Sequence, residues 1–201
     1  TQDIWCLPGG VAKRLKEEEL EEIKPWVDEL YDFTQFSLQL FRDVVLGNPT
    51  YVDLIVNGPY TLDVHNMGLV DENNAPNFYD GKVRVVDFEG NEICKYEAKD
   101  YAEHVAEHVE PWTYLKFPYL KKRGWKGFVE GIDSSVYCAT PLARLNVADR
   151  MATPKAQEAF DEMFKILGAH PCRALLAQHW ARLVEMVQNA EMLQRYCADP
   201  E

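Results

Sequence analysis

The amino-acid sequence predicts a mainly α-helical fold with a small antiparallel β-sheet inserted between its helices. Apolar residues recur at helical spacing near both ends of the chain, over residues 13–47 and 154–196. Between residues 60 and 97, short β-prone pieces alternate with turn residues instead. Apolar residues make up 47% of the 201 positions, which is enough to bury a sizeable core. We therefore expect one domain (1–201), with a helical region at 11–57, a β insertion at 60–97 and a second helical region at 98–198.

The first helical region is predicted to contain one long helix and one short helix. After a turn at Pro8-Gly9-Gly10, residues 13–47 form either one amphipathic helix or a pair broken near Pro25, because proline interrupts helical hydrogen bonds. The apolar positions that define the helix face are Leu20, Ile23, Val27, Leu30, Phe33, Leu38, Phe41 and Val45. Residues 51–56 are expected to form the short helix, which ends before Gly58-Pro59.

The β insertion is predicted from three β-prone pieces. They lie at residues 60–64, 82–88 and 93–96, and the turn Glu89-Gly90-Asn91 joins the last two as a hairpin. Residues 71–79 are polar and are expected to form a loop.

The second helical region is predicted to begin with a helix at residues 99–109, which Pro111 ends. An extended aromatic segment at 112–120 and a basic turn at 121–126 follow. Thr153 and Pro154 are typical of a helix N-cap and first helical position, so a helix should span 154–167. A last helix is expected at 172–196.

The run at residues 137–150, Y-C-A-T-P-L-A-R-L-N-V-A-D-R, is the most distinctive in the chain because it mixes apolar and charged residues closely. Buried charges must be paired or hydrogen-bonded. We therefore predict that Arg144 and Asp149 join an ion-pair network that links this run to the terminal helices.

Charge and cysteine content exclude several classes of function. The net charge of -12 disfavours binding to nucleic acid or to an anionic membrane, since both require a basic surface. No apolar stretch reaches the roughly 20 residues that span a membrane. Five cysteines without a C-x-x-C pair indicate reduced thiols rather than a disulfide framework or a zinc knuckle. A cytoplasmic location is expected.

The histidines offer one weak metal motif. His104, Glu107 and His108 match H-x-x-E-H, which on a helix would place both histidines on one face to bind zinc, with the glutamate as general base. The alternative is an ordinary helix whose histidines lie beside acids, and no third ligand stands out. His179 is expected to be a hydrogen-bonded core residue.

Several segments, taken in order, resemble one known family. They are P-G-G-V at 8–11, Y-A-E-H-V-A-E-H-V-E-P-W-T-Y-L-K-F-P-Y-L-K at 101–121, T-P-L-A-R-L-N-V-A-D-R at 140–150, T-P-K-A at 153–156 and Q-H-W-A-R-L-V-E-M-V-Q-N-A-E at 178–191. Together they are similar to the middle of the large (catalytic) subunit of cytoplasmic [NiFe] hydrogenases of the NAD-reducing bidirectional type. In those relatives a His-Pro pair precedes P-G-G-V, whereas here Gln2-Asp3 occupies the place.

This resemblance implies a large-subunit-like helical scaffold within an oxidoreductase that splits H2 heterolytically. It implies a Ni-Fe centre in the parent enzyme, iron-sulfur clusters in partner subunits, and electron transfer towards NAD(P). The expected partners are a diaphorase module and the hydrogenase small subunit. The family holds its metals through two C-x-x-C motifs that this chain lacks, so no catalytic, cofactor-binding or metal-ligating residue is assigned here.

Three functions follow from these observations. The chain is expected to be an internal piece of a longer subunit, acting as the scaffold region of a [NiFe] hydrogenase large subunit. The alternative is a non-catalytic scaffold or protein-interaction subunit derived from the same fold. The third option is a zinc hydrolase that uses residues 104–108.

Overall fold

The computed structural model describes residues 15–199, together with the backbone of two short antiparallel strands, β1 (Cys6–Leu7) and β2 (Gly10–Val11). The predicted turn at Pro8-Gly9 and the Gln2-Asp3 pair lie outside the described residues. The helices are α1 (Glu17–Phe41), α2 (Pro49–Asn57), α3 (Tyr101–His104), α4 (Pro141–Asn146), α5 (Pro154–Leu167) and α6 (Gln178–Ala198). The other strands are β3 (His65–Val70), β4 (Lys82–Val86), β5 (Glu92–Tyr96), β6 (Val105–Val109), β7 (Lys116–Leu120) and β8 (Tyr137–Cys138).

The first helical region contains the long and the short helix that the sequence predicts. α1 passes through Pro25 without a break and continues as a π-helical turn, Arg42–Leu46. Pro25 has no N–H to donate to the carbonyl of Glu21, four residues earlier in the helix. Both residues are exposed, so water can donate to that carbonyl instead. α2 begins where the Asn48 side chain accepts a hydrogen bond from the amide of Thr50, and Pro49 occupies the first turn.

The central sheet is mixed rather than antiparallel throughout. Its strand order is β5-β4-β3-β8, and β8 pairs with β3 in parallel. The predicted hairpin between β4 and β5 is confirmed, but the first strand lies at 65–70 instead of 60–64. The polar loop at 71–79 is confirmed and connects β3 to β4.

The predicted helix at 99–109 is wrong beyond its first turns. A 3-10 turn and α3 reach only to His104, and β6 then pairs antiparallel with β7. Exposure alternates residue by residue over 106–109, and the cross-strand pairs with β7 favour the extended form over the helical propensity of alanine and glutamate.

These strands correct the predicted fold class. Only about half of the described residues are helical, and the region at 98–198, predicted as helical, contributes β6, β7 and β8. The fold is therefore a mixed α and β architecture, not a mainly α fold with one antiparallel insertion.

The main core lies where α6 packs against α1, α4 and α5. Trp180 of α6 is buried at its centre, with its ring centroid 5.2 Å from that of Phe41. The helix at 154–167 is confirmed, whereas the last helix begins at Gln178 rather than 172. Among the described residues, no helix has the length and apolar character needed to cross a membrane.

Candidate functional site

The distinctive run at residues 137–150 lies between the central sheet and α6. β8 leads into Thr140, whose hydroxyl accepts a 3.4 Å hydrogen bond from the amide of Ala143 at the start of α4. The side chain of Gln178, at the start of α6, donates to the same hydroxyl (2.8 Å) and accepts from the amide of Leu142 (3.2 Å). We call residues 137–157 and the α6 side chains that contact them the junction.

Arg144 forms the strongest contact of the junction. Its guanidinium binds both carboxylate oxygens of Glu185 on α6, at 2.6 and 2.7 Å, and also donates to the carbonyl of Ala139. The Glu185 side chain is 7% exposed and that of Arg144 is 28% exposed. A bidentate pair with one buried carboxylate fixes the orientation of α4 on α6. This confirms the predicted ion pair from the run to a terminal helix.

Gly68 of β3 allows α4 to lie this close to the sheet. A Cβ atom at position 68 would be 2.7 Å from Cγ2 of Val147 and 3.1 Å from Cα of Arg144. Both separations are shorter than ordinary contact distances between carbon atoms, so only glycine fits without a shift of α4.

Asp149 joins a second, separate pair. Its carboxylate accepts from Arg84 of β4 (2.8 Å) and from the side chain of Asn74 (2.7 Å). Burial disfavours the charged form, but these hydrogen bonds outweigh it and lower the pKa of Asp149 below its ordinary value. The same Arg84 donates to the carbonyl of Val147 (2.6 Å). The run is therefore tied to the sheet through Asp149 and to α6 through Arg144.

Asn146 provides a neutral link between these two attachments. Its side-chain amide donates to Asn66 of β3 (3.1 Å) and to the carbonyl of Cys172 (2.8 Å), and accepts from the amide of Cys172 (2.9 Å). Asn66 and Asn146 are both buried, and these bonds satisfy the side-chain oxygen of Asn66 and both polar side-chain atoms of Asn146.

Two further polar side chains of α6 bind the rest of the junction. Gln188, which is buried, accepts from the amide of Ala152 (3.0 Å). Glu191 accepts from the amides of Lys155 (3.2 Å) and Ala156 (3.1 Å) in the first turn of α5. Thr153 occupies the N-cap position but makes no side-chain cap bond, so a carboxylate from α6 performs that role.

His65 is a buried polar residue of β3 that faces the loop at Ser134. Its Nε2 lies 2.8 Å from the carbonyl oxygen of Ser134, and since a carbonyl only accepts, Nε2 carries the proton. Nδ1 has no hydrogen-bond partner among the described residues. Burial therefore lowers the pKa of His65 below its ordinary value of 6.5 and keeps the ring neutral.

We expect His65 to make the protein less stable in mild acid. Above pH 6.5 the ring is neutral in both the folded and the unfolded chain, whereas at lower pH only the unfolded chain gains the proton. The free energy of unfolding should therefore fall as the pH drops below 6.5 towards the folded pKa. Urea unfolding at a series of pH values should show a shallower fall in His65→Gln, and an unchanged fall in the control His179→Gln, where the side chain is exposed. Equal slopes in His65→Gln and the parent chain would contradict this assignment.

The predicted zinc motif is not assembled. His104 ends α3 and stacks on Tyr96, with ring centroids 3.8 Å apart, whereas His108 lies in β6 and stacks on Trp125 at 4.3 Å. Nε2 of His108 lies 2.9 Å from the carboxylate of Glu110. Because residues 105–109 are extended, the helical spacing on which the motif depends is absent. The prediction for His179 is also wrong, since that residue is exposed.

The four cysteines with described side chains, Cys94, Cys138, Cys172 and Cys197, do not fit an iron-sulfur cluster or a Ni-Fe centre. Those with described side chains are all free, and residues 15–199 contain no group of three or more histidine, cysteine, aspartate or glutamate side chains that could hold a metal ion. Burial raises the pKa of the Cys94, Cys138 and Cys172 thiols, which disfavours the thiolate that metals require.

Sequence analysis missed the partners of the junction because they lie far along the chain. Glu185 follows Arg144 by 41 positions, and Gln188 follows Ala152 by 36. One signal was available: Glu185 interrupts the apolar stretch L-V-E-M-V of α6, and a lone carboxylate on a buried helix face indicates a cationic partner.

Comparison with known proteins gives a consistent group of relatives, although no family model matches the chain. An F420-non-reducing hydrogenase iron-sulfur subunit from Archaeoglobus profundus is 43% identical over 195 residues, covering 97% of this chain and 40% of the relative. The beta subunit of the NAD-reducing hydrogenase HoxS from Cupriavidus necator is 31% identical, covering 98% of this chain and 40% of the relative. The crystal structure of an NAD+-reducing [NiFe]-hydrogenase in the H2-reduced state matches 97% of this chain and 41% of its own, with a TM-score of 0.79 and 28% identity.

These findings establish similarity to hydrogenase subunits and correct the predicted subunit. The Archaeoglobus relative is named an iron-sulfur subunit, and neither relative is named as a large, nickel-bearing catalytic subunit. The predictions of a large catalytic subunit and of a large-subunit-like scaffold are not supported, nor is a Ni-Fe centre on this chain. The chain spans about two fifths of the length of these relatives.

Proposed function

We propose that the chain is a non-catalytic structural region of a hydrogenase subunit, which holds a helical layer and a sheet together so that a hydrogenase complex can assemble. The observation that carries this proposal is the Arg144–Glu185 pair, which joins α4 to α6 inside the fold. The segments 140–150, 153–156 and 178–191, on which the family resemblance rests, meet at the junction. Their residues contact one another and leave no set of metal ligands in the described part of the chain.

The complex would oxidise H2 or reduce protons, and its iron-sulfur clusters and its route to NAD(P) would lie on residues outside those described. The names of the relatives support this part of the proposal, since they include an iron-sulfur subunit and an NAD-reducing hydrogenase. The other hydrogenase subunits are the proposed partners. Free, dispersed cysteines support a reducing, cytoplasmic location.

A chimera tests the proposal in a working enzyme. The matching region of the Archaeoglobus iron-sulfur subunit is replaced by this chain, and the chimera is produced together with the other subunits of that hydrogenase. We expect the chimera to copurify with them in a yield comparable to that of the parent subunit, because 43% identity extends over the whole replaced region. A chimera that carries Arg144→Met should copurify at least several-fold less, since a loss of only about 1 to 2 kcal/mol of stability already lowers abundance by that factor.

The matched control is Arg42→Met, which breaks the more exposed pair with Glu162 outside the junction. A folded chimera that fails to bind any partner subunit would contradict the proposed role. So would equal yields for Arg144→Met and the unaltered chimera.

A further inference from the structure

We propose that the outer face of α1 docks against a basic, amphipathic helix of the same subunit, from a part of that subunit outside the matched region. The face carries five large apolar side chains that are exposed in this chain, namely Trp26, Leu30, Phe33, Phe36 and Leu40. The inference rests on the proposed function, because it takes this chain to be one region of a longer hydrogenase subunit. It deepens that function by assigning a surface and the kind of segment that covers it.

α1 has two apolar faces, and only the inner one packs within this chain. Val27 and Leu38 are buried on the inner face, and α1 packs against α6. At 3.6 residues per turn, the five outer residues fall within an arc of about 120°, centred roughly 130° around the helix from that buried pair. Each of the five side chains is between 40% and 60% exposed. A contiguous apolar surface of this kind marks an interaction site.

The spacing of the outer residues favours a helix as the occupant. Trp26, Leu30, Phe33 and Leu40 stand at positions i, i+4, i+7 and i+14 of α1. Alternating steps of four and three residues form the seam that one helix presents to another. These positions extend over roughly 21 Å of the helix axis, so a helix of about 15 residues would cover them.

The charges on the outer face are acidic and select a basic partner. Glu22 and Glu29 fall within the same arc, are exposed, and form no ion pair or hydrogen bond among the described residues. The two cations among residues 17–46 are Lys24 and Arg42, which lie on the opposite side of the helix and already pair with carboxylates of this chain. Lysine or arginine on the partner would therefore meet carboxylates without a competing cation on this face.

Two observations favour a further part of the same subunit over a second copy of this chain. This chain covers 40% of the Archaeoglobus subunit and 40% of the HoxS beta subunit, so about three fifths of each relative lies outside the match. Such a segment is held close by its covalent link, which raises its effective concentration. Two copies of this chain, in contrast, would bring only carboxylates to the shared face, and like charges across an interface oppose association.

Photo-crosslinking in the chimera described above identifies the occupant. The photoreactive amino acid p-benzoylphenylalanine takes the place of Phe33, the chimera is produced with the other hydrogenase subunits, and mass spectrometry maps the products of irradiation. We expect a crosslink within the same subunit, to a peptide outside the residues of this chain that carries lysine or arginine beside apolar residues. The matched control has the probe at Tyr79, which is almost fully exposed in the loop at 71–79, and should not give that peptide.

Several results of this experiment would overturn the inference. One is a crosslink from position 33 to a second copy or to another subunit, which electrophoresis recognises by its higher mass. A crosslink to residues of this chain, or no crosslink at all, would do the same. So would a crosslinked peptide that lacks lysine and arginine, or the same peptide from the probe at Tyr79.

Reversal of one charge on the outer face tests the basic partner separately. Glu29→Lys should lower the yield of soluble chimera about five-fold, because the new cation repels those of the partner. It should leave the urea midpoint of this chain alone unchanged, since Glu29 has no partner among the described residues. The control Glu72→Lys, at an exposed acid of the loop at 71–79, should change neither quantity. Equal yields for Glu29→Lys and the unaltered chimera, or a lower midpoint in Glu29→Lys, would contradict the inference.

The junction and the outer face of α1 can fail separately in these experiments. Arg144→Met acts inside the fold, so it should lower both the yield of the chimera and the stability of this chain alone. Glu29→Lys should lower the yield alone. A chimera that gives the expected crosslink but binds no partner subunit would refute the proposed role in assembly and support the docking surface.

Discussion

Replacement of Trp180 by alanine should lower the free energy of unfolding by about 4 kcal/mol. Trp180 is 1% exposed and lies at the centre of the core between α6 and α1, against the ring of Phe41. Removal of the indole leaves a cavity that helices fixed by other contacts cannot fill. Urea denaturation followed by circular dichroism measures the change.

The control for this prediction is Trp26→Ala on α1, where the indole is 60% exposed. That substitution should change the free energy of unfolding by no more than about 0.5 kcal/mol. Trp180→Phe should cost less than Trp180→Ala, because it keeps a ring and removes an indole nitrogen that has no partner among the described residues. Similar losses for Trp26→Ala and Trp180→Ala would contradict the assignment of the core.

Replacement of Arg144 by methionine should cost about 3 kcal/mol of stability. The substitution leaves the carboxylate of Glu185 inside the fold without its bidentate partner, and an unpaired buried charge is strongly destabilising. The same urea experiment measures the loss.

Arg42→Met provides the matched comparison on a pair that is only partly buried and more exposed than Arg144–Glu185. The side chains of Arg42 and Glu162 are 36% and 29% exposed, so solvent can replace the lost contact. We expect a loss of about 1 kcal/mol or less. If Arg42→Met costs as much as Arg144→Met, the junction has no special role in stability.

The parts of the fold that sequence analysis predicted correctly are those in which local signals and burial agree. α5 begins at Pro154 and ends before Gly168, as its boundary residues indicate. The hairpin between β4 and β5 turns at Glu89-Gly90-Asn91, where Gly90 adopts a positive φ. In these segments each residue type suits the structure that it adopts.

The errors arise where distant contacts override local preference. β3 begins H-N-M-G, and none of its histidine, asparagine and glycine residues favours a strand. Tertiary contacts explain why these residues occur in the strand. His65 and Asn66 make buried hydrogen bonds, and Gly68 has no Cβ atom, which allows α4 to pack closely against β3. The helix predicted at 99–109 fails for a similar reason, since β7 supplies the hydrogen bonds that make residues 105–109 a strand.

The candidate site could be predicted in kind but not in geometry. Charges within an apolar run indicate that Arg144 and Asp149 need partners, and this requirement follows from the sequence. The identity of those partners does not, because Glu185 and Arg84 lie far away on opposite sides of the run. The single network that we predicted is in fact two pairs, one to α6 and one to the sheet.

The central claim is that the Arg144–Glu185 pair holds the junction together, and a double-mutant cycle tests it most directly. The free energy of unfolding is measured for the parent chain, Arg144→Met, Glu185→Leu and the double variant. The account predicts that each single substitution destabilises strongly and that the double variant loses less than their sum, with a coupling energy of about 1.5 to 3 kcal/mol. Losses that add to within about 0.5 kcal/mol would show that the two side chains act independently and would contradict the claim.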